Sequence, residues 1–120
     1  MSQPTAGAWD AADCALLLMD YQDNVLGTIF EQDRRVIELN ASTLATYARM
    51  LDIPVVLSTV AVRMGVNGPT IPSLQAALPD LEAIDRTERN AWRDPAFLAA
   101  VKATGRKRLV MGGISTSVCL

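Results

Sequence analysis

A continuous apolar run from Cys14 to Met19 stops abruptly at Asp20. No polar residue alternates with the apolar ones, so a strand made from this run would be buried on both faces, as in a parallel sheet covered by helices. Leucine and alanine also form helices, but the short length and abrupt end of the run favour a strand. In open α/β sheets the carboxyl end of such a strand faces the ligand crevice, which makes Asp20 a candidate functional residue. From its position alone, Asp20 is equally suited to cap the following turn.

A helical pattern and a second apolar run come next. Residues 31–52 predict a helix with one apolar face, and Pro54 forbids its continuation. The residues predicted for that face are Val36, Ile37, Leu44, Tyr47, Ala48 and Leu51. Residues 55–60 are apolar and β-branched, which predicts a second buried strand. Strand, helix and strand form a βαβ unit, whose crossover is expected to be right-handed.

The remaining segments complete an α/β pattern. Residues 61–70 predict a loop, which either lines a pocket or is a solvated connector. We expect a short helix over 71–78 and a weakly extended segment over 81–85. Asp94-Pro95 predicts the start of a helix that ends near Gly105, and residues 108–111 predict a last strand. No repeat, low-complexity tract or linker interrupts residues 1–120, so we expect a single domain.

Composition excludes several classes of function. The net charge of −2 gives no electrostatic reason to expect nucleic acid as a partner, and no apolar run approaches the length of a membrane span. Two cysteines far apart do not make a disulfide framework, which favours a reducing compartment and predicts a cytoplasmic protein. The chain has no histidine, which rules out a Cys-His pair within it and removes the commonest metal ligand. We therefore expect no metal and no other cofactor.

The last strand leads through Gly112-Gly113 and a run of small residues to a thiol at Cys119. Backbone N–H groups in such a turn can hold an anion, so Cys119 is a candidate nucleophile. The alternative is that Cys119 is a small buried hydrophobe, as free cysteines usually are; Cys14, at the start of the first strand, is expected to be plain core. Without histidine, the base that activates a nucleophile must be a carboxylate, lysine or tyrosine.

Taken together, four segments resemble the isochorismatase-like cysteine hydrolases, and within them the YcaC-like branch. The segments are 17–22 (LLMDYQ), 84–87 (IDRT), 90–92 (NAW) and 101–119. The resemblance implies a Rossmann-like, three-layer αβα fold with a mostly parallel sheet. It also implies a catalytic set of Asp20 as acid and base, Arg86 as electrostatic partner and Cys119 as nucleophile. Such a set hydrolyses a small amide or related C–N bond through a covalent thioester-type intermediate.

The resemblance implies further site residues. A non-proline cis peptide is expected between Ser115 and Thr116, and backbone N–H groups near Cys119 would bind the developing oxyanion. Substrate-binding residues are expected at Gln22, Asn90 and Trp92, although Trp92 is as a rule a core or interface anchor in such a position. The implied partners are a small-molecule substrate and further copies of the chain, with no nucleic acid and no membrane.

Two departures and several alternatives accompany this interpretation. Many amidases of the family have lysine where this chain has Arg86, and nicotinamidases of the family bind a metal through aspartate and histidine. Arg86 is alternatively a surface residue that pairs with Asp85 or Glu88. The chain is alternatively a non-catalytic scaffold or small-molecule binder, or a redox-sensing thiol protein. Family members continue well beyond this cysteine, so we expect the chain to be the N-terminal part of a domain truncated after Cys119.

Overall fold

In the part of the chain that the structure describes, a four-stranded, fully parallel sheet forms the centre of the fold. The computed structural model describes residues 10–27 and 32–113. Within them the strands are β1 (Cys14–Met19), β2 (Val55–Val60), β3 (Ile84–Arg86) and β4 (Arg108–Gly112), in the order β3-β2-β1-β4. β1 therefore has a neighbour on each side, and every one of its residues is buried. This confirms the prediction that its apolar run is a strand covered on both faces.

The register brings three strand ends to one edge of the sheet. Met19 is opposite Ser58, and Val60 is opposite Arg86. Because all strands run the same way, the residue after β1, the end of β2 and the end of β3 lie at the same carboxyl edge. Asp20 and Arg86, which are 66 positions apart in sequence, are thus placed on neighbouring parts of that edge.

Helices cover both faces of the sheet and give the predicted three layers. They are α1 (Asp23–Leu26), α2 (Arg34–Met50), α3 (Pro72–Ala77) and α4 (Pro95–Ala103). α2 and α3 pack on the face that carries Leu16 and Leu18, while Phe97 of α4 packs on the face that carries Leu17 and Met19. Alternate residues of β1 thus supply two separate cores. Within the described residues, no helix has the length and apolar character needed to cross a bilayer.

The helix starts follow the capping signals in the sequence. The Asp94 side chain accepts from the Ala96 N–H, and Pro95 occupies the first turn of α4. Asp33 caps α2 in the same way by accepting from the Arg35 N–H. Gly105 has φ +66°, the left-handed conformation expected after a helix end. The predicted start of α4 is therefore confirmed, and α2 is shorter than the predicted 31–52.

The predicted apolar face of α2 is right at Ile37 and Ala48 and wrong at its other four residues. The residues of α2 that are buried against the sheet are Ala41, Ala45 and Ala48, with Ile37 partly buried beside them. Large apolar side chains that were assigned to the core are exposed, namely Val36, Leu44, Tyr47 and Leu51. Alanine allows the helix axis to approach the sheet closely, so small residues form the contact and the bulky ones point away from it. α2 therefore presents an exposed apolar surface to its surroundings.

Asp52, just after α2, has a left-handed backbone with φ +55°. The N–H of Ile53 donates to Ala48 O at 2.8 Å and the N–H of Asp52 donates to Arg49 O at 3.3 Å, which is the Schellman pattern. Since a Cβ is unfavourable in this conformation, we expect Asp52→Gly to raise the free energy of unfolding by about 0.5–1 kcal/mol, as measured by urea denaturation. Asp52→Ala keeps the Cβ and should give no increase; an equal gain in both variants would contradict the assignment.

Candidate active site

Asp20 ends β1 in an unusual backbone conformation. Its φ is +69°, in the left-handed region, where aspartate is tolerated better than most residues. Its N–H donates to Ser58 O at 3.0 Å, and its carbonyl accepts from the Gln22 N–H at 2.9 Å. The residue is fully buried. A tight turn therefore fixes the carboxylate at the carboxyl edge of the sheet, where the sequence placed it.

A buried ion pair joins Asp20 to Arg86 at the end of β3. Nη1 of Arg86 donates to Oδ1 of Asp20 at 2.9 Å, and Nη2 donates to Oδ2 at 3.0 Å. The side chains are 0% and 1% exposed for Arg86 and Asp20, respectively. Two parallel, charge-assisted bonds of this kind are the geometry that arginine and a carboxylate favour. The alternative that Arg86 is a surface residue paired with Asp85 or Glu88 is therefore wrong.

The rest of the guanidinium is held by β2 and by the loop after β3. Nη1 also donates to Oγ of Ser58 at 2.7 Å, Nε donates to Glu88 O at 3.1 Å, and Nη2 donates to Arg89 O at 2.9 Å. Arginine has five N–H donors, and this arrangement engages each of its three nitrogens. The guanidinium thus has a fixed position and supplies a permanent positive charge beside Asp20, without exchanging a proton.

Other groups that might serve as a base are poorly suited to it. Burial raises the pKa of Tyr21, so its phenol stays protonated at neutral pH. The two lysines, Lys102 and Lys107, are exposed and precede β4, which places them toward the amino edge of the sheet. Among the residues that the structure describes, the carboxylate of Asp20 is therefore the candidate base, because it is buried beside Arg86 at the carboxyl edge of the sheet.

Gln22 is buried, and its side chain is engaged by backbone groups. Its Nε2 donates to Val60 O at 3.1 Å and to Gly68 O at 2.7 Å, and its Oε1 accepts from the Val60 N–H at 3.0 Å. These bonds tie the segment after β1 to the loop after β2. In the structure, the Gln22 side chain holds these two segments together. Its predicted role in substrate binding stays a prediction.

Asn90 and Trp92 lie just before α4. The Asn90 side chain accepts from the Trp92 N–H at 3.0 Å and caps a short 3-10 turn, Ala91–Arg93. The Trp92 ring meets the Phe97 ring edge to face, with centroids 5.7 Å apart. This packing agrees with Trp92 as an anchor of the core. Substrate binding by either residue likewise stays a prediction.

Two residues at this edge were missed from the sequence. Ser58 bonds Arg86 directly, and Asp85 accepts from Thr59 and from the loop after β2. The available signal for Ser58 and Thr59 was that hydroxyl side chains interrupt an apolar strand near its carboxyl end. Asp85 carried no signal of its own beside the motif that contains Arg86.

Cys119, Ser115 and Thr116 lie outside the described residues, as does the peptide bond predicted to be cis. The strand that leads to them is β4, which pairs with β1. A Cβ on Gly112 would lie 2.7 Å from the Tyr21 hydroxyl and 3.0 Å from Leu18 Cδ2, so a larger residue at this position would force these side chains to shift. The end of β4 is thus adjacent to the segment that carries the carboxylate. Cys14, by contrast, is buried at the start of β1, as predicted.

Metal ligands do not cluster in the described part of the chain: no group of three or more Cys, Asp or Glu side chains there has the geometry to hold an ion.

Sheet topology and site together define an α/β protein with a three-layer fold and a buried carboxylate–guanidinium pair at the carboxyl edge of its sheet. The chain belongs to the isochorismatase family: the model of the isochorismatase domain matches residues 14–120. The predicted family and fold are confirmed.

Relatives of known name support the same assignment. The chain is 37% identical, over 112 residues and 92% of its length, to a protein of Escherichia coli strain K12 named probable hydrolase YcaC. The crystal structure of the E. coli YcaC gene product, described as an octameric hydrolase of unknown specificity, matches with a TM-score of 0.85 and 36% identity over 99% of the chain. YcaC from Pseudomonas aeruginosa, solved with hexane-2,5-diol and covalent acrylamide, matches with a TM-score of 0.86 and 35% identity over 98% of the chain.

The chain spans only part of these relatives. It covers 53% of the E. coli K12 protein and 58% of each solved chain.

Proposed function

We propose that the chain carries the reaction centre of a cysteine-dependent hydrolase that cleaves a C–N bond of a small amide or related compound, with Cys119 as nucleophile. The observation that carries this proposal is the buried, bidentate pair of Asp20 and Arg86 at the carboxyl edge of the sheet. Charged side chains buried at the carboxyl edge of a parallel sheet, where ligands bind in α/β folds, are a candidate functional site.

In the proposed reaction, Asp20 takes the proton of the Cys119 thiol, and the thiolate attacks the amide carbon to form a C–S bond. The carbonyl oxygen becomes an oxyanion, for which backbone N–H groups near Cys119 are the proposed donors. Asp20 then gives its proton to the leaving amine as the C–N bond breaks, which leaves a thioester. Water, deprotonated by Asp20, cleaves the thioester, and the proton returns to the thiol.

Arg86 has an electrostatic part in this proposal. Its charge stays constant through the cycle, while Asp20 alternates between a carboxylate and a neutral acid. A guanidinium beside the acid also favours a thiolate over a thiol in the same region. The bonds from Arg86 to Ser58, Glu88 and Arg89 keep the charge in place when the proton moves.

The relatives support the same chemistry. The E. coli protein is named a hydrolase, and the P. aeruginosa protein was solved with a covalent acrylamide. Acrylamide alkylates thiolates, and it carries a small primary amide. We take it as the natural probe for a reactive cysteine in this chain.

The experiment that tests the proposal is labelling with acrylamide at neutral pH, followed by intact mass measurement and peptide mapping. The chain has two cysteines, and Cys14 is buried with its thiol directed at Asp10 O at 3.3 Å. We expect a single adduct on Cys119, formed faster than on free cysteine under the same conditions. Cys14→Ala should label at the same rate. Labelling of Cys119 no faster than the free amino acid would contradict an activated thiol.

A second candidate function is a non-catalytic binder of the same fold. It is favoured by the fact that Arg86 occupies both oxygens of Asp20, which competes with proton uptake by the carboxylate. Under this alternative, Cys119 would react like an unperturbed thiol, with a pKa near about 8.5. The dependence of the acrylamide rate on pH separates the two functions.

We further propose that the protein acts as a homo-oligomer in the cytoplasm. The octameric state of the E. coli relative supports assembly, and so does the exposed apolar surface of α2, which includes Leu39, Tyr47 and Met50. The cytoplasm is supported by the two distant cysteines. Sedimentation velocity measures the state of assembly.

A further inference from the structure

Loop 61–70, which follows β2, is fastened at both ends to the segments that carry the ion pair. The carbonyl of Arg86 accepts from the Ala61 N–H at 2.7 Å. The Gln22 side chain bonds Val60, just before the loop, and Gly68, near its end, and an antiparallel bridge joins Gln22 to Thr70. The loop therefore lies at the same edge of the sheet as Asp20 and Arg86, with both of its ends in fixed register to them.

Asp85, the residue before Arg86, holds the first turn of this loop. Its Oδ1 accepts from Oγ1 of Thr59 and from the Val62 N–H, both at 3.0 Å. Its Oδ2 accepts from the Arg63 N–H at 3.1 Å and is 3.4 Å from Arg63 Nε. One side chain thus receives donors from the end of β2 and from two consecutive residues of the loop.

The turn that Asp85 holds needs such an anchor. Ala61 has φ +59°, a left-handed conformation that is unfavourable for a residue with a Cβ. The Ala61 carbonyl is in turn the acceptor for the N–H groups of Val66 and Asn67. The turn at Ala61 is therefore stabilised by two sets of hydrogen bonds, one to the Asp85 side chain and one within the loop itself.

The carboxylate is ionised at neutral pH. Burial raises the pKa of Asp85, but the N–H groups of Val62 and Arg63, the Thr59 hydroxyl and the Arg63 charge outweigh burial and hold it below the ordinary value. A group with a lowered pKa stabilises the folded state above its unfolded pKa of about 3.9 and loses that contribution as the pH falls through the lower folded value. The anchor is thus fully in place from pH 5 upward.

We propose that Asp85 is a positioning residue for the reaction: by anchoring the Ala61 turn, it fixes loop 61–70 as a rigid wall of the substrate site beside Asp20 and Arg86. This inference rests on the proposed function. Successive residues of a strand point to opposite sides, so β3 uses Arg86 to orient the acid and Asp85 to orient the loop. Two adjacent residues of β3, Asp85 and Arg86, thus set the distance between loop 61–70 and the Asp20 carboxylate.

The proposal is tested with Asp85→Asn in the full chain. Asparagine has nearly the same shape, but its Nδ2 replaces an acceptor with a donor opposite the N–H and the guanidinium of Arg63. The matched control is Asp80→Asn, because Asp80 is an exposed carboxylate that pairs with Arg49 of α2 at 2.5 Å. Asp85→Glu restores the charge with one extra methylene and should recover part of the effect.

The first readout is hydrogen exchange at the Val62 and Arg63 amides. Asp85→Asn should speed exchange there by at least about fivefold, the ratio that corresponds to loss of one net hydrogen bond, while Asp80→Asn leaves both amides unchanged. This measurement does not depend on catalysis. Unchanged protection in a folded Asp85→Asn protein would overturn the proposal.

The second readout is selectivity. We expect Asp85→Asn to change the ratio of Cys119 alkylation rates for acrylamide and N-isopropylacrylamide by at least about threefold, since a displaced wall alters the fit of a bulky reagent. A variant that is merely less folded would change both rates together and keep the ratio. Wild-type Cys119 that fails to react overturns the proposed function, whereas wild-type reactivity with an unchanged ratio in Asp85→Asn overturns this inference.

Discussion

Replacing Arg86 with methionine is expected to lower the free energy of unfolding by about 3–5 kcal/mol, because it leaves the Asp20 carboxylate buried without a counter-charge. Both oxygens of Asp20 lose their partner, and Ser58 loses its bond to Nη1. The carbonyls of Glu88 and Arg89 also lose their donors. Urea denaturation at pH 7 measures the loss.

A double variant isolates the buried charge as the cause. Asp20→Asn combined with Arg86→Met removes both charges and keeps a residue that tolerates the left-handed backbone at position 20, so we expect it to be more stable than Arg86→Met alone, which leaves an unpaired buried charge. Arg49→Met is the matched control: it removes one partner of an exposed pair and should cost no more than about 1 kcal/mol. If Arg86→Met cost as little as Arg49→Met, the pair would not be the buried element that the geometry describes.

Asp20→Asn is expected to slow acrylamide labelling of Cys119 at pH 7 by up to about 30-fold, because a thiol with the ordinary pKa of about 8.5 is only about 3% ionised at that pH. Asparagine has a similar shape but takes up no proton at this pH. The rate should approach that of the wild type as the pH rises past about 8.5, where a thiol ionises without help. A pH profile from 6 to 10 therefore gives the measurement.

Loss of folding would not imitate this result. A partly unfolded Asp20→Asn protein would expose Cys14 as well as Cys119, and peptide mapping distinguishes the two adducts. Asp23→Asn is the control, because Asp23 is an exposed carboxylate three positions away that pairs with Arg34. Asp20→Asn that labels at the wild-type rate across the whole profile would remove Asp20 from its role as base.

The apolar runs predicted the sheet well because burial on both faces leaves a simple pattern in the sequence. β1 and β2 have the bounds that their residues indicated, and β4 is one residue longer than predicted. β3 was located less well: the extended segment was predicted over 81–85, and the strand is Ile84–Arg86. Its residues include two charges, so the buried part of the strand carries no apolar signature.

Periodicity misjudged α2 for a different reason. A helical pattern weights large apolar side chains, but the contact of α2 with the sheet is made by alanines. Which residues of a helix face inward depends on the surface against which the helix packs. The sequence of the helix alone does not describe that surface.

The resemblance to a family implied that Asp20 and Arg86 share one site, and the ion pair brings them together. What the residues alone predicted was that Asp20 lies at a strand end, with no partner assigned. The links from Arg86 to Ser58 and from Asp85 to loop 61–70 depend on the register between β2 and β3. Register is a property of two paired strands and cannot be read from the sequence of either strand. Neither link could therefore be predicted from the sequence.

The distance along the chain between Asp20 and Arg86 has a consequence for biosynthesis. The acid emerges early from the ribosome and its guanidinium 66 residues later, and they meet only when β1, β2 and β3 have aligned side by side. A nascent polypeptide that has formed only its first strand and long helix holds a carboxylate with no counter-ion. The buried pair is therefore assembled only together with the parallel layer, and under the proposed function Cys119 gains its base at that same step.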